Sequence, residues 1–192
     1  MATKRLFCIL GWGMELINDI KECLETIPEY LPLGKGDTPW TSEICKRLVK
    51  LGKLEKYGFY TCAKGTKSIG GNHGEWLFDL SWLDYGTSDG SLPEPGIRIL
   101  ERLPLICESE WGVRLNELLD DFEKLVMANA DLKLFIYQDQ GADKDDAQKE
   151  RLLDIVKAHG VRSLQHYMFC RFRWIDHGKW VANFFDGAGN DL

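Results

Sequence analysis

This chain has no apolar run of about 18 residues, the least that crosses a bilayer as a helix, so no membrane span is expected. The run from Leu6 to Leu10 is too short for the purpose, and Glu15, Asp19 and Glu22 follow it. A secretory signal is therefore not expected either, despite the basic start at Lys4 and Arg5. The 6 cysteines, at positions 8, 23, 45, 62, 107 and 170, form no CxxC pair, and the 4 histidines add no zinc-like spacing. That excludes a disulfide scaffold or a zinc module and predicts reduced thiols in a cytoplasmic protein. There is no GxSxG, no P-loop and no HExxH, so the nucleophile elbow, the phosphate cradle and the zincin helix are all absent. Gly11-Trp12-Gly13 follows an apolar run, but Leu16 stands where a dinucleotide fingerprint needs its third glycine. No internal repeat or low-complexity tract occurs.

What remains is an ordinary globular composition, 44% hydrophobic and 28% charged over 192 residues. A chain of this length buries roughly 70% of its unfolded surface, and a single domain spanning 1–192 is expected. The net charge of −6 is unevenly spread. Between Lys46 and Lys67 stand 7 basic residues and one acid, Glu55, so the rest of the chain is strongly acidic. Overall acidity argues against indiscriminate nucleic-acid binding, while a local basic face suits a phosphate backbone.

Hydrophobic periodicity predicts a strand at 6–10, a helix at 14–24, and a Pro- and Gly-rich loop at 28–39. A second helix is expected over 42–54, with Thr41 or Ser42 as its cap and Ile44, Leu48, Leu51 and Leu54 as its apolar stripe. Lys46, Lys50 and Lys53 share another face of it as candidate phosphate contacts, the alternative being a solvated helix surface. Strands are predicted at 57–63, 75–83 and 103–109, a helix at 113–129, a strand at 132–137 and a helix at 147–158. A hairpin, 167–174 and 180–185, closes the chain around Asp176-His177-Gly178-Lys179. The order helix, three strands, helix, strand suggests α/β, a mixed central sheet flanked by helices with a C-terminal β-hairpin.

The chemistry-bearing residues lie in and at the end of predicted strands. Glu108 and Glu110 flank Ser109 after an apolar run, so on a strand they share one face. Asp79 sits within Trp76-Leu77-Phe78-Asp79-Leu80-Ser81-Trp82, where alternation puts it opposite the large apolar residues. Neighbouring carboxylates repel, and one stays protonated unless a cation compensates. Asp79, Glu108 and Glu110 together would form an oxygen-rich set suited to Mg²⁺ or Mn²⁺. The plain alternatives are a solvated strand end for the glutamates and a satisfied polar group, bonded to the Gly70-Gly71-Asn72 loop, for Asp79.

An acid on the second strand and an acid-x-acid on the third, within this order of elements over about 41–137, resemble the PD-(D/E)XK nuclease superfamily. The resemblance implies a restriction-endonuclease-like fold and metal-dependent hydrolysis of phosphodiester bonds in DNA or RNA. It places Asp79 and Glu108 at the two acidic motif positions and Glu110 where the family usually has lysine. Glu43 matches the acid often found on the helix before the sheet; its alternative role is a partner for the helix dipole. Lys124 is the candidate replacement for the missing lysine, and an ion pair with Asp121, three residues away, is its alternative. A homodimer is implied by the resemblance alone. The rival function is a non-catalytic interaction or regulatory protein that keeps the fold without turnover.

Overall fold

The computed structural model describes residues 8–29, 31, 37–65, 71, 73–87, 98–112, 114–139, 142–159, 165–174 and 178–192. Six strands form one mixed sheet in sequence order: β1 (Tyr60–Ala63), β2 (Leu80–Thr87), β3 (Arg98–Glu110), β4 (Leu132–Gln138), β5 (His166–Arg173) and β6 (Lys179–Asp186). β1, β2 and β3 form an antiparallel meander, β4 and β5 run parallel to β3, and β6 returns antiparallel to β5. Among the described residues four α-helices flank the sheet: α1 (Cys8–Glu25), α2 (Asp37–Gly52), α3 (Leu115–Met127) and α4 (Ala142–Ala158).

Strand alternation divides the core into two layers. Leu105, Cys107, Leu134, Ile136, Met168 and Cys170 face α1 and α2, where they pack on Ile20, Leu24, Ile44 and Leu48. Ile106, Phe135, Tyr137, Tyr167 and Phe169 face the other way, onto Leu118, Phe122, Leu125 and Val126 of α3 and Leu152 and Val156 of α4. Apolar side chains on both faces are what a parallel pair covered on each side requires. α3 joins β3 to the parallel β4, and its spacing of Leu118, Phe122, Leu125 and Val126 gives one buried stripe.

The structure departs from the sequence reading at several element boundaries. Residues 8–10 open α1 rather than ending a strand; positions 6 and 7 lie outside the described residues. Gly11 and Gly13 weaken a helix by up to about 1 kcal/mol each, but the chain continues through them into the buried stripe Leu16, Ile17, Ile20 and Leu24. Thr41 and Ser42 are not caps, because α2 already begins at Asp37. The expected strand from 75 starts only at Leu80, where pairing with Ala63 ends β1's ladder. Without a partner strand, Trp76 and Leu77 are exposed, and Phe78 joins the α3 side instead of the layer that holds Leu80 and Trp82. β3 begins earlier than expected, at Arg98, because β2 extends to Thr87 and pairs with it. α4 starts at Ala142, inside the stretch read as an acidic loop. The hairpin stands as expected, with Gly178 at φ 78°, although Asp176 and His177 lie outside the described residues.

Candidate functional site: a buried carboxylate pair

Register brings Asp79 and Glu108 together. Leu80 pairs with Cys107 at the end of the ladder, so Asp79, the residue before it, stands beside Glu108 and Ser109 at the end of β3. Both are buried, at 5% and 4% exposure. Asp79 precedes β2, and its backbone carbonyl accepts from Lys64 N–H at 2.8 Å and from the Cys45 thiol at 3.5 Å. Its two side-chain oxygens have different partners. Oδ2 accepts from Ser109 N–H at 3.0 Å and from Ser109 O–H at 2.7 Å, while Oδ1 faces Lys64 Nζ at 3.3 Å.

Glu108 faces a second ammonium. Lys124 Nζ, one helical turn beyond Asp121 on α3, lies 3.2 Å from Glu108 Oε1 and 2.6 Å from Asp121 Oδ1. The ion pair with Asp121 is thus formed, and the same ammonium also meets Glu108. Even with that cation beside it, Glu108 is pushed up from 4.5 to about 7, first by burial and then by the negative charge of Asp79. Lys124 keeps its proton more tightly than usual: burial works against the ammonium, but the hydrogen bond to Asp121 and the charge of Glu108 prevail. The Asp79 charge likewise raises the proton affinity of Lys64.

The other candidates lie elsewhere. Glu110 shares the Glu108 face but turns to accept from Gly112 N–H. Burial and a hydrogen bond to Asp121 raise its proton affinity. Gly112 permits the approach, because a Cβ there would sit 2.6 Å from Glu110 Oε1. Glu43 binds Arg47 Nε at 2.8 Å and Lys46 Nζ at 3.5 Å instead of joining the pair. Lys46, Lys50 and Lys53 line a groove between α1 and α2 of about 850 Å³, together with Asp19, Glu22 and Glu43. Among the described residues no three His, Cys, Asp or Glu side chains converge to hold a metal ion. The pair itself offers two carboxylates, which is a common protein contribution to a Mg²⁺ site whose remaining positions go to water and phosphate.

Lys64 and Ser109 were not singled out from the sequence. The signal for Lys64 was the β1–β2 register: a lysine directly after one apolar strand and an aspartate directly before the next become neighbours. Ser109 was read only as the spacer between two glutamates.

Comparisons with protein-family models, with curated proteins and with solved structures find nothing that matches this chain. The carboxylate pair is therefore what bears on function.

Proposed function

We propose that this protein is a divalent-metal-dependent nuclease with a restriction-endonuclease-like core, in which Asp79 and Glu108 hold Mg²⁺ or Mn²⁺. The observation that carries this reading is the pair of buried carboxylates: burial first, and the nearby charge of Asp79 second, push Glu108 up to about 7 even beside Lys124. A doubly charged cation relieves that repulsion. Support also comes from the order of elements, with α2 leading into the β1–β3 meander and α3 crossing to the parallel β4.

A metal bound there would polarise a phosphoryl oxygen and acidify its bound water. The remaining tasks fall to the chain's own residues. Asp79 offers Oδ1, since Oδ2 is already committed to Ser109. Lys64 and Lys124, whose side chains are 59% and 49% exposed, contact Asp79 and Glu108 and can swing to an incoming phosphate. Lys46, Lys50 and Lys53 are proposed contacts to the nucleic-acid backbone, and pairing of two copies to cut both strands follows only from the family resemblance. The free thiols of Cys23, Cys45, Cys62, Cys107 and Cys170 suit a reducing, cytoplasmic setting. No helix among the described residues is long and apolar enough to cross a membrane.

The test is cleavage of linear double-stranded DNA, single-stranded DNA and RNA with Mn²⁺, Mg²⁺ or EDTA. Cleavage that requires metal and is lost in Glu108→Gln supports the proposal; no cleavage of any substrate by the native protein overturns it. A second reading, a non-catalytic interaction module, is favoured by Glu110, which turns to Gly112 and Asp121 and leaves the pair without a third acid. It predicts no turnover under any of these conditions.

A further inference from the structure

One oxygen of Asp79 is tied to a chain of hydrogen bonds that ends in an indole. Ser109 Oγ donates to Asp79 Oδ2 at 2.7 Å and lies 3.0 Å from Thr41 Oγ1, which accepts from Trp111 Nε1–H at 2.9 Å. Chemistry fixes the direction. An indole N–H can only donate, and a carboxylate can only accept. Thr41 therefore accepts from Trp111 and donates to Ser109, and Ser109 donates to Asp79.

The chain ties together four pieces of the fold: the segment before β2, the end of β3, the residue after β3, and α2. A threonine inside a helix commonly turns its hydroxyl back to the carbonyl four residues earlier, but the Thr41 hydroxyl bonds Ser109 and Trp111 on other elements. The far end is rigid. Trp111 is 5% exposed and lies against Trp40, Phe172 and Trp180, with ring centroids 5.9, 6.4 and 6.5 Å away.

We infer that Trp111, Thr41 and Ser109 are positioning residues for Asp79, a relay that locks Oδ2 and leaves Oδ1 presented beside Lys64. Its catalytic meaning rests on the nuclease proposal; the coupling between Asp79 and Trp111 does not. In the relay a charged acceptor polarises each donor behind it, so the state of Asp79 is felt at the Trp111 N–H. This also explains a serine between the two glutamates: with alanine there, Oδ2 keeps only the backbone N–H and is held less firmly.

The experiment reads the indole N–H resonance of Trp111 in ¹⁵N-labelled protein, assigned by its disappearance in Trp111→Phe. Asp79→Asn replaces a charged acceptor by a neutral one of the same shape, and the signal should move upfield. The same replacement made in Ser109→Ala should leave the signal unmoved. Thr41→Val interrupts the relay one step further on and serves if Ser109→Ala does not fold. In the cleavage assay Thr41→Val should lower kcat by about 10–100-fold at unchanged KM, and Thr41→Ser should restore it. The inference fails if Asp79→Asn leaves the native signal in place, or moves it equally with and without the Ser109 and Thr41 hydroxyls. The nuclease reading fails separately, if the native protein cuts nothing while the indole couples as described.

Discussion

Replacing Glu108 by glutamine should make the protein more stable at neutral pH while removing its proposed activity. In the unfolded chain the Glu108 carboxyl titrates near 4.5; in the fold it is pushed to about 7 by burial and by the Asp79 charge, against the pull of Lys124. Between those values the folded protein holds a proton that the unfolded chain has lost. The linkage sign follows: the stability supplied by the neutral carboxyl is fully present below about 4.5 and lost as pH rises through about 7. A rise of roughly 2.5 pH units, at about 1.4 kcal/mol for each, makes this loss about 3 kcal/mol. Glutamine carries no charge at any pH and lacks this slope. Native protein and Glu108→Gln should therefore be about equally stable near pH 4.5, and the variant should lead by about 3 kcal/mol at pH 8. The assay is urea unfolding followed by tryptophan fluorescence across that range. With a slope of about 2 kcal/mol per molar urea, the two midpoints should separate by about 1.5 M at pH 8. Stability curves that run parallel with pH, or a variant that is weaker at pH 8, would show that Glu108 ionises freely and would refute the reasoning.

The Lys46→Ala/Lys50→Ala/Lys53→Ala protein should bind DNA more weakly whatever its sequence. The slope of log affinity against log salt should flatten by up to about 0.9 for each phosphate no longer neutralised; an unchanged slope in fluorescence anisotropy would remove these lysines from the interface. Gly52→Ala should lower stability by about 1–3 kcal/mol, because the new Cβ would stand 2.7 Å from the ring of the fully buried Trp82; a thermal melt at or above the native one would contradict that packing. Lys133 is fully buried and donates to Val126 O at 2.9 Å, Gln165 Oε1 at 2.8 Å and Tyr167 Oη at 3.1 Å. Lys133→Met keeps the stem but strands those acceptors, and calorimetry should show a drop in stability of about 2–4 kcal/mol.

The sequence made the element order legible where one periodicity dominated. The stripe Leu118, Phe122, Leu125 and Val126 has no competing pattern, and α3 lies where it was expected. The alternation from Trp76 to Trp82 misled, because period two also occurs in unpaired chain; β2 begins only where Ala63 ends the β1 ladder. At the site, spacing alone placed Glu108 and Glu110 on one face, and Asp79 joined them only through its place in an earlier apolar run and the family resemblance. It could not show that Glu110 turns to Gly112, since that depends on a glycine two residues later leaving room. Nor could it show Lys64 opposite Asp79 or the path through Thr41 and Ser109, because both depend on residues 15 to 70 positions apart meeting across elements.

Crystals soaked in Mn²⁺ and measured at a wavelength where manganese scatters anomalously test the central claim most directly. The predicted result is an ion touching both Asp79 and Glu108, with the Lys64 ammonium moved away from Asp79 Oδ1. A soaked crystal in which Lys64 and Lys124 still close the pair, with no ion between the two carboxylates, would contradict it.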